Sequence, residues 1–170
     1  MNSILRWAWL GAIVFGFVLV GAGAFMAYEG RMAHNDVRDT LADERIITAE
    51  DAEIPLAEVD SAAEAKAQAE IIREHALAAT GGKTYAELDR DDPARATYLN
   101  SVTLRSALME SYLAFKVADL VVGIGAIVIL LGLSNVALGV FLGLMVLRTG
   151  RDTEAASRQH KQLGSVTASQ

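Results

Sequence analysis

The chain has 170 residues, no cysteine and a formal net charge of −6. Without cysteine there are no disulfides, no thiolate metal sites and no cysteine nucleophile. Hydrophobic residues make up 52% of the chain; they gather at its two ends and the charges in its middle, the pattern of a membrane protein carrying a small polar module.

The first apolar segment is WAWLGAIVFGFVLVGAGAFMAY, Trp7 to Tyr28, 22 residues without a charge. As a helix it is about 33 Å long, enough to cross a hydrocarbon core of about 30 Å. Trp7 and Trp9 mark one end and Tyr28 the other, where aromatic rings favour the membrane interface. Ala22-Gly23-Ala24 resembles a signal cleavage site. The apolar run is longer than a signal core, however, and only Arg6 precedes it, so it reads as a retained anchor.

The middle of the chain reads as helices. Ser61-Ala62-Ala63-Glu64 is a capping box, and the run AEAKAQAEIIREHALAAT behind it is rich in strong helix formers. Ile71, Ile72, His75, Leu77 and Ala79 form a narrow apolar stripe, and Gly81-Gly82 stops the helix. Thr84 and Glu87 make a second capping box over one short turn. Asp92-Pro93 opens a third helix, with Asp92 as cap. No Gly or Pro interrupts Ala94 to Val122, so this helix is expected to run unbroken into the next apolar segment as a stalk. Tyr98, Val102, Leu108 and Tyr112 make one side of it partly apolar.

That next segment, Leu120 to Leu147, holds 28 uncharged residues, too long for one upright span and too short for two. Either a single tilted helix accommodates it, or a span ends near Leu133 with a turn at Ser134-Asn135 and an interfacial helix beyond. Lys116 and Asp119 lie at its edge, three apart, and can pair on one helix face. Glu29 to Arg105 carries nine basic and 17 acidic residues, a net −8. Arg6 precedes the first span; Arg148, Arg151, Arg158 and Lys161 come after the second. By the positive-inside rule both termini are cytoplasmic and the acidic module faces out across the cell membrane. The tail after Leu147 has a disordered composition.

The stretch TGGKTYAELDRDDP contains Gly82-Lys83-Thr84, the end of a phosphate-binding loop. The required glycine five residues earlier is Leu77, and a helix rather than a strand precedes the stretch, so no nucleotide is expected. The three histidines are scattered: His34 near Asp36 and Asp39, His75 beside Glu74, His160 in the tail. They have no ligand spacing, and no metal or cofactor is expected. Asp89-Arg90-Asp91-Asp92 lacks the glycine and distal glutamate of a calcium loop. None of Ser61, Ser101, Ser106 and Ser111 sits in a nucleophile elbow. An acidic module excludes a nucleic-acid surface.

Small residues recur in the apolar segments: Gly11, Gly16 and Gly21 in the first, and the G-x-x-x-G pair Gly139 and Gly143 in the second. They serve association with partner helices, self-association, or packing of the two spans on each other. Asn135 either bonds across helices or marks a break.

The stretch AQAEIIREHALAATGGKTYAELDRDDPARATYLNSVTLRSAL, with ADERIITAEDA before it, resembles a family of small actinobacterial membrane proteins, TGGKTYAELDR being the most distinctive part. The resemblance implies a span at each end of such a module and no active-site residues. Family members often carry the label aromatic ring-opening dioxygenase, after an unrelated enzyme subunit. Ring cleavage needs iron on a His/carboxylate set inside an enclosed pocket, and three scattered histidines do not supply one. The sequence therefore predicts an all-α fold, two membrane spans flanking a helical module. The function expected is that of a non-enzymatic subunit or accessory factor, in contact with lipid and a membrane-protein partner. The alternative is a membrane enzyme or transport element using His34, His75, Glu110, Lys116 and Asp119.

Overall fold

A computed structural model describes the backbone of residues 3–167 and the side chains of residues 7–149. It contains three α-helices: α1, Ser3–Asp43; α2, Ala62–Ala79; and α3, Ala94–Thr167. Among the described residues the only β pairing is a lone antiparallel bridge, Ile47 to Glu58. The fold is all-α. Both α1 and α3 hold a stretch long and apolar enough to cross a membrane, and only 11% and 17% of those stretches is buried. The core helix of a soluble protein would be mostly covered, so both stretches are candidate membrane spans.

The chain forms two compact bodies, one of Met1–Phe25 with Ile124–Gln170, the other of Met26–Gly123. In the first, α1 and α3 run antiparallel at backbone contact. A Cβ placed on Gly16 would lie 2.7 Å from the carbonyl oxygen of Gly132, and one on Gly132 would lie 2.7 Å from that of Gly16. A Cβ on Gly23 would meet the Gly125 carbonyl at 2.6 Å, and one on Gly139 the Trp9 carbonyl at 2.8 Å. Larger residues alternate with the glycines: Val20 opposite Gly132, Ile129 opposite Gly23, Val136 opposite Gly16, Ile13 opposite Gly139. The glycines recur every seventh residue, Gly16 and Gly23 on α1, Gly125, Gly132 and Gly139 on α3. Seven residues are nearly two turns, so they fall on one face of each helix.

This bears on the sequence reading in three places. Of Gly11, Gly16 and Gly21, only Gly16 touches α3, whereas Gly11 and Gly21 have nothing within 4 Å of an added Cβ. The second apolar segment has no break at Ser134-Asn135. The Ser134 hydroxyl donates to the Leu130 carbonyl and the Asn135 amide to the Leu131 carbonyl, so both polar groups are satisfied within α3. The single-helix alternative therefore holds. The segment after Leu147, expected to be disordered, continues α3 to Thr167. It holds no proline and several good helix formers, and a helix already nucleated propagates through such residues.

In the second body α1 continues helical from Glu29 to Asp43, which the sequence reading left without structure. Arg45 then takes the left-handed conformation, φ 50°, and the chain turns. The returning loop is closed at Thr48. Its amide donates to the Ala57 carbonyl at 2.8 Å, and its hydroxyl accepts the Ala57 amide at 2.9 Å. The Val59 amide donates to Ile46, and the Ala49 amide to the Gln68 side chain of α2. Thr48 and Val59 are fully buried as a result.

Ser61 caps α2: its hydroxyl accepts the Ala63 amide and bonds the Glu64 carboxylate. At the other end Gly81 and Gly82 both have positive φ, and their amides donate to Ala78 and Leu77, closing the two rings of a Schellman stop. So Gly82-Lys83-Thr84 lies just past a helix end, and Thr84 opens a turn held by Glu87. Asp92 accepts the Ala94 amide and starts α3. The buried side of α2 is Ala65, Ala67, Ala69, Ile71 and Ala76; of the expected stripe Ile71 is buried and Ile72 and Leu77 pack half-buried against the core, whereas His75 and Ala79 face solvent. Alanine lets α2 lie close to its neighbours. Leu41, Val59, Ala65, Ala69, Leu108 and Phe115 form the main core, and Ala76, Leu88 and Tyr98 a smaller one.

Gly16→Ala and Gly21→Ala make the same chemical change one turn and a half apart. Gly16→Ala is expected to destabilise the pair by about 1–3 kcal/mol through backbone overlap. Gly21→Ala is expected to leave the protein unchanged or slightly more stable. Thermal unfolding in mild detergent measures both; equal effects would contradict the packing.

Candidate functional site

The second body brings polar side chains together at two places. α1 continues past Tyr28 and carries Arg31, His34 and Asn35 outward; α3 carries Asp119 and Val122 against them. The five line a cleft of about 300 Å³. His34 Nδ1 lies 3.1 Å from Asp119 Oδ1, and the ring edge rests on Phe115 at 4.9 Å between centroids. Phe115 is fully buried, so it fixes the imidazole plane from the core side. Both polar partners keep solvent access, 36% and 55%. Gly30 makes room for this: an added Cβ there would press Val122 at 2.8 Å and the Ala118 carbonyl at 3.0 Å.

Asp119 thus pairs across to His34, not along α3 to Lys116. The Lys116 ammonium lies instead 5.6 Å over the Tyr112 ring, four residues back on the same helix. Asp119 sits on the side of α3 that faces α1, and that geometry decides its partner. His75 stands on α2 with Nε2 at 2.8 Å from Asp51 Oδ2, on the surface. The Asp51 carboxyl is held below the usual carboxylate range, chiefly by this hydrogen bond. The Glu87 carboxyl is lowered too, by bonds from the Thr84 amide and hydroxyl. Arg38 donates twice to Asp60, anchoring the end of the loop to α1. Arg95 lies over Tyr85 at 4.1 Å and donates to the Leu88 carbonyl.

The two outer histidines therefore engage different carboxylates on different elements. Gly139 and Gly143 pack on Trp9 and Ile13 of the same chain, and Asn135 bonds its own helix. His160 lies outside the described side chains. No group of three or more His, Cys, Asp or Glu converges as metal ligands among the described residues. The His34–Asp119 couple can hold one proton and orient the ring. Arg31 and Asn35 add a cation and an amide to the same cleft, the composition of a small polar binding pocket rather than of a nucleophile and its base.

His34 belonged to a recognisable signal. Trp9, Ile13, Gly16, Val20, Gly23, Ala27, Gly30, His34, Val37 and Leu41 are spaced four and three apart, and every one of them is buried or half-buried. A heptad row reaching into the charged segment puts His34 on the α3-facing side. No family model matches the chain, and neither a curated protein nor a solved structure matches it.

A carboxyl whose folded value is depressed adds stability above its unfolded value, about 3.9 for aspartate, and loses it as pH falls through the folded value. Asp51→Asn should therefore lower the melting temperature slightly at neutral pH. Below about pH 3.9 the gap to the wild type should close. A gap independent of pH would show that Asp51 acts through packing instead.

Proposed function

We propose that the chain is a non-enzymatic protein of the cell membrane. In this reading it spans the bilayer twice and serves as a subunit or accessory factor of a membrane complex. The acidic module lies on the extracytoplasmic side and both termini are cytoplasmic. The observation that carries this reading is the apolar surface left bare outside the two long apolar runs. Leu56 is 68% exposed, Leu113 60%, Leu104 59% and Ile47 53%. Small folded bodies rarely leave several large aliphatic side chains uncovered without a partner to cover them. The contacts of Gly16 and Gly23 with α3 support retention of the first span, since cleavage near Ala24 would discard them. The likeness of the TGGKTYAELDR stretch to small two-span membrane proteins agrees with the same reading.

A second reading rests on the His34–Asp119 couple and Arg31 in one cleft. A transport element or membrane enzyme would use that couple to carry a proton. It requires Asp119→Asn to abolish a cellular phenotype while the protein still folds and inserts.

Purification of the tagged chain from its native membrane in mild detergent, followed by mass spectrometry, tests the first reading. A stoichiometric membrane-protein partner is expected; a chain recovered alone or only with itself would overturn it. Single cysteines test the sidedness, because the chain has none of its own. Ala78→Cys should react with an impermeant maleimide on intact cells, and Ser157→Cys only after permeabilisation. The reverse pattern would invert the topology.

A further inference from the structure

The second body also contains a groove that the His34 cleft does not use. Its deepest part is a hollow of about 400 Å³ at the junction of all three helices, floored by Leu41, Ile72, Leu104, Ala107 and Leu108. Thr40 and Ser111 continue it into a second hollow of about 310 Å³. Along α1 the groove runs past Asp36 and Thr40 and ends at Glu44 in the turn just after the helix, so it is on the order of 12 Å long, about two helical turns.

Its walls differ from its floor. Asp36, Glu44 and Glu110 stand along it, all exposed. None has a cationic partner: the ion pairs among the described residues are His34–Asp119, Arg38–Asp60 and His75–Asp51. Arg38, the cation nearest in sequence to Asp36, is committed to Asp60. An apolar floor at one end, Thr40 and Ser111 leading on from it, and carboxylates without an ion-pair partner along the rim complement one kind of ligand. That ligand is a helix with aliphatic side chains at i, i+3 or i+4 and i+7, flanked by Lys or Arg. A neutral acyl chain would fill the floor but leave the carboxylates unmatched.

We propose that this groove docks a short, basic, amphipathic helix of a partner protein on the module's side of the membrane. The proposal rests on the reading of the module as an interaction body and names the chemistry of what it binds. Leu104, 59% exposed in the free chain, is the anchor the docked helix covers. Asp36, Glu44 and Glu110 set its orientation and make its binding salt-dependent.

The test uses the full chain in nanodiscs of zwitterionic lipid, with signal from empty discs subtracted. The probe is a synthetic 18-residue helical peptide with leucines on one face and lysines flanking them. Fluorescence anisotropy should show saturable binding, one peptide per chain. Glu44→Lys with Glu110→Lys should weaken it at least tenfold. Glu70→Lys with Glu74→Lys makes the same charge change on the exposed face of α2 and should leave it within twofold. Ala107→Trp, which fills the floor without altering charge, should also weaken it tenfold. A peptide of the same composition with scrambled leucine spacing should bind at least tenfold less well.

No saturable binding above empty discs would overturn the proposal. So would equal losses in the two charge-reversed proteins, or equal binding of the scrambled peptide; both would mean general attraction to an acidic body. Competition by a zwitterionic single-chain lipid, equal in the wild type and in the Glu44→Lys, Glu110→Lys protein, would assign the groove to lipid and overturn it too. A partner that co-purifies from native membrane equally well with the Ala107→Trp protein would remove the groove and leave the interaction-factor reading standing.

Discussion

Where α1 and α3 meet in the apolar body, glycine on one helix lies against the main chain and a branched side chain of the other, with no room for a Cβ. In lipid, burying an aliphatic side chain against another helix gains little, because the surrounding acyl chains are equally apolar. What holds two helices is the number of close atomic contacts, each worth only about 0.1–0.2 kcal/mol. Glycine at every second layer removes the side chain that would keep the axes apart, and the Val or Ile of the opposite helix fills the space. Glycine also has no rotamers to lose when the pair forms. The penalty is its weak helix propensity, which matters less in a medium where an unpaired backbone group finds no water. The same row continues along α1 as Gly30, His34, Val37 and Leu41 in the polar body, against Phe115, Ala118 and Val122. The His34 couple is a polar version of a layer that elsewhere is glycine and valine.

Much of this was legible in the sequence. The uncharged runs, the Ser61 and Asp92 caps and the Gly81-Gly82 stop are local signals with local causes; α2 begins and ends, and α3 begins, where the caps and the stop indicate, while α1 and α3 run on past the uncharged segments. The unbroken passage of α3 into the apolar segment was legible from the absence of Gly and Pro between Ala94 and Val122. Other features depend on what lies opposite. The sequence reading took neighbouring glycines as a set, whereas the packing of α1 on α3 selects those seven apart, Gly16 and Gly23, and leaves Gly11 and Gly21 open. Helix spacing allows Asp119 to pair with Lys116, yet its partner is His34, which α1 presents. The expected stripe on α2 put weight on Ile71, Ile72, His75, Leu77 and Ala79, while the alanines supply most of the buried side. In a three-helix body this small, close approach is worth more than side-chain bulk.

The loop from Arg45 to Asp60 has no periodic signal and was not legible at all. Its order comes from a single residue. Thr48 donates its amide to the Ala57 carbonyl and its hydroxyl accepts the Ala57 amide, so it becomes a covered polar plug with its hydrogen bonds made. Val59 is then buried beside it, and Arg38 clamps Asp60 from α1. The loop thereby closes one end of the groove, through Ile46, without contributing a charge to it. Of the carboxylates that line the groove, Asp36 and Glu110 stand on helices and Glu44 in the turn directly after α1.

The register of the glycine contacts is uniform: Gly16 meets Gly132, Gly23 meets Gly125, and Trp9 meets Gly139. Each step up α1 is matched by an equal step down α3. A change of chain length inside either helix cannot be absorbed locally. Removing one residue between Gly16 and Gly23 turns everything beyond it by about 100° and carries the next glycine off the contact face. Removing seven, by contrast, returns the pattern nearly to phase. The helical pair is therefore quantised in length: it accepts insertions and deletions in heptads, while the loop between α2 and α3, outside the repeat, carries no such rule.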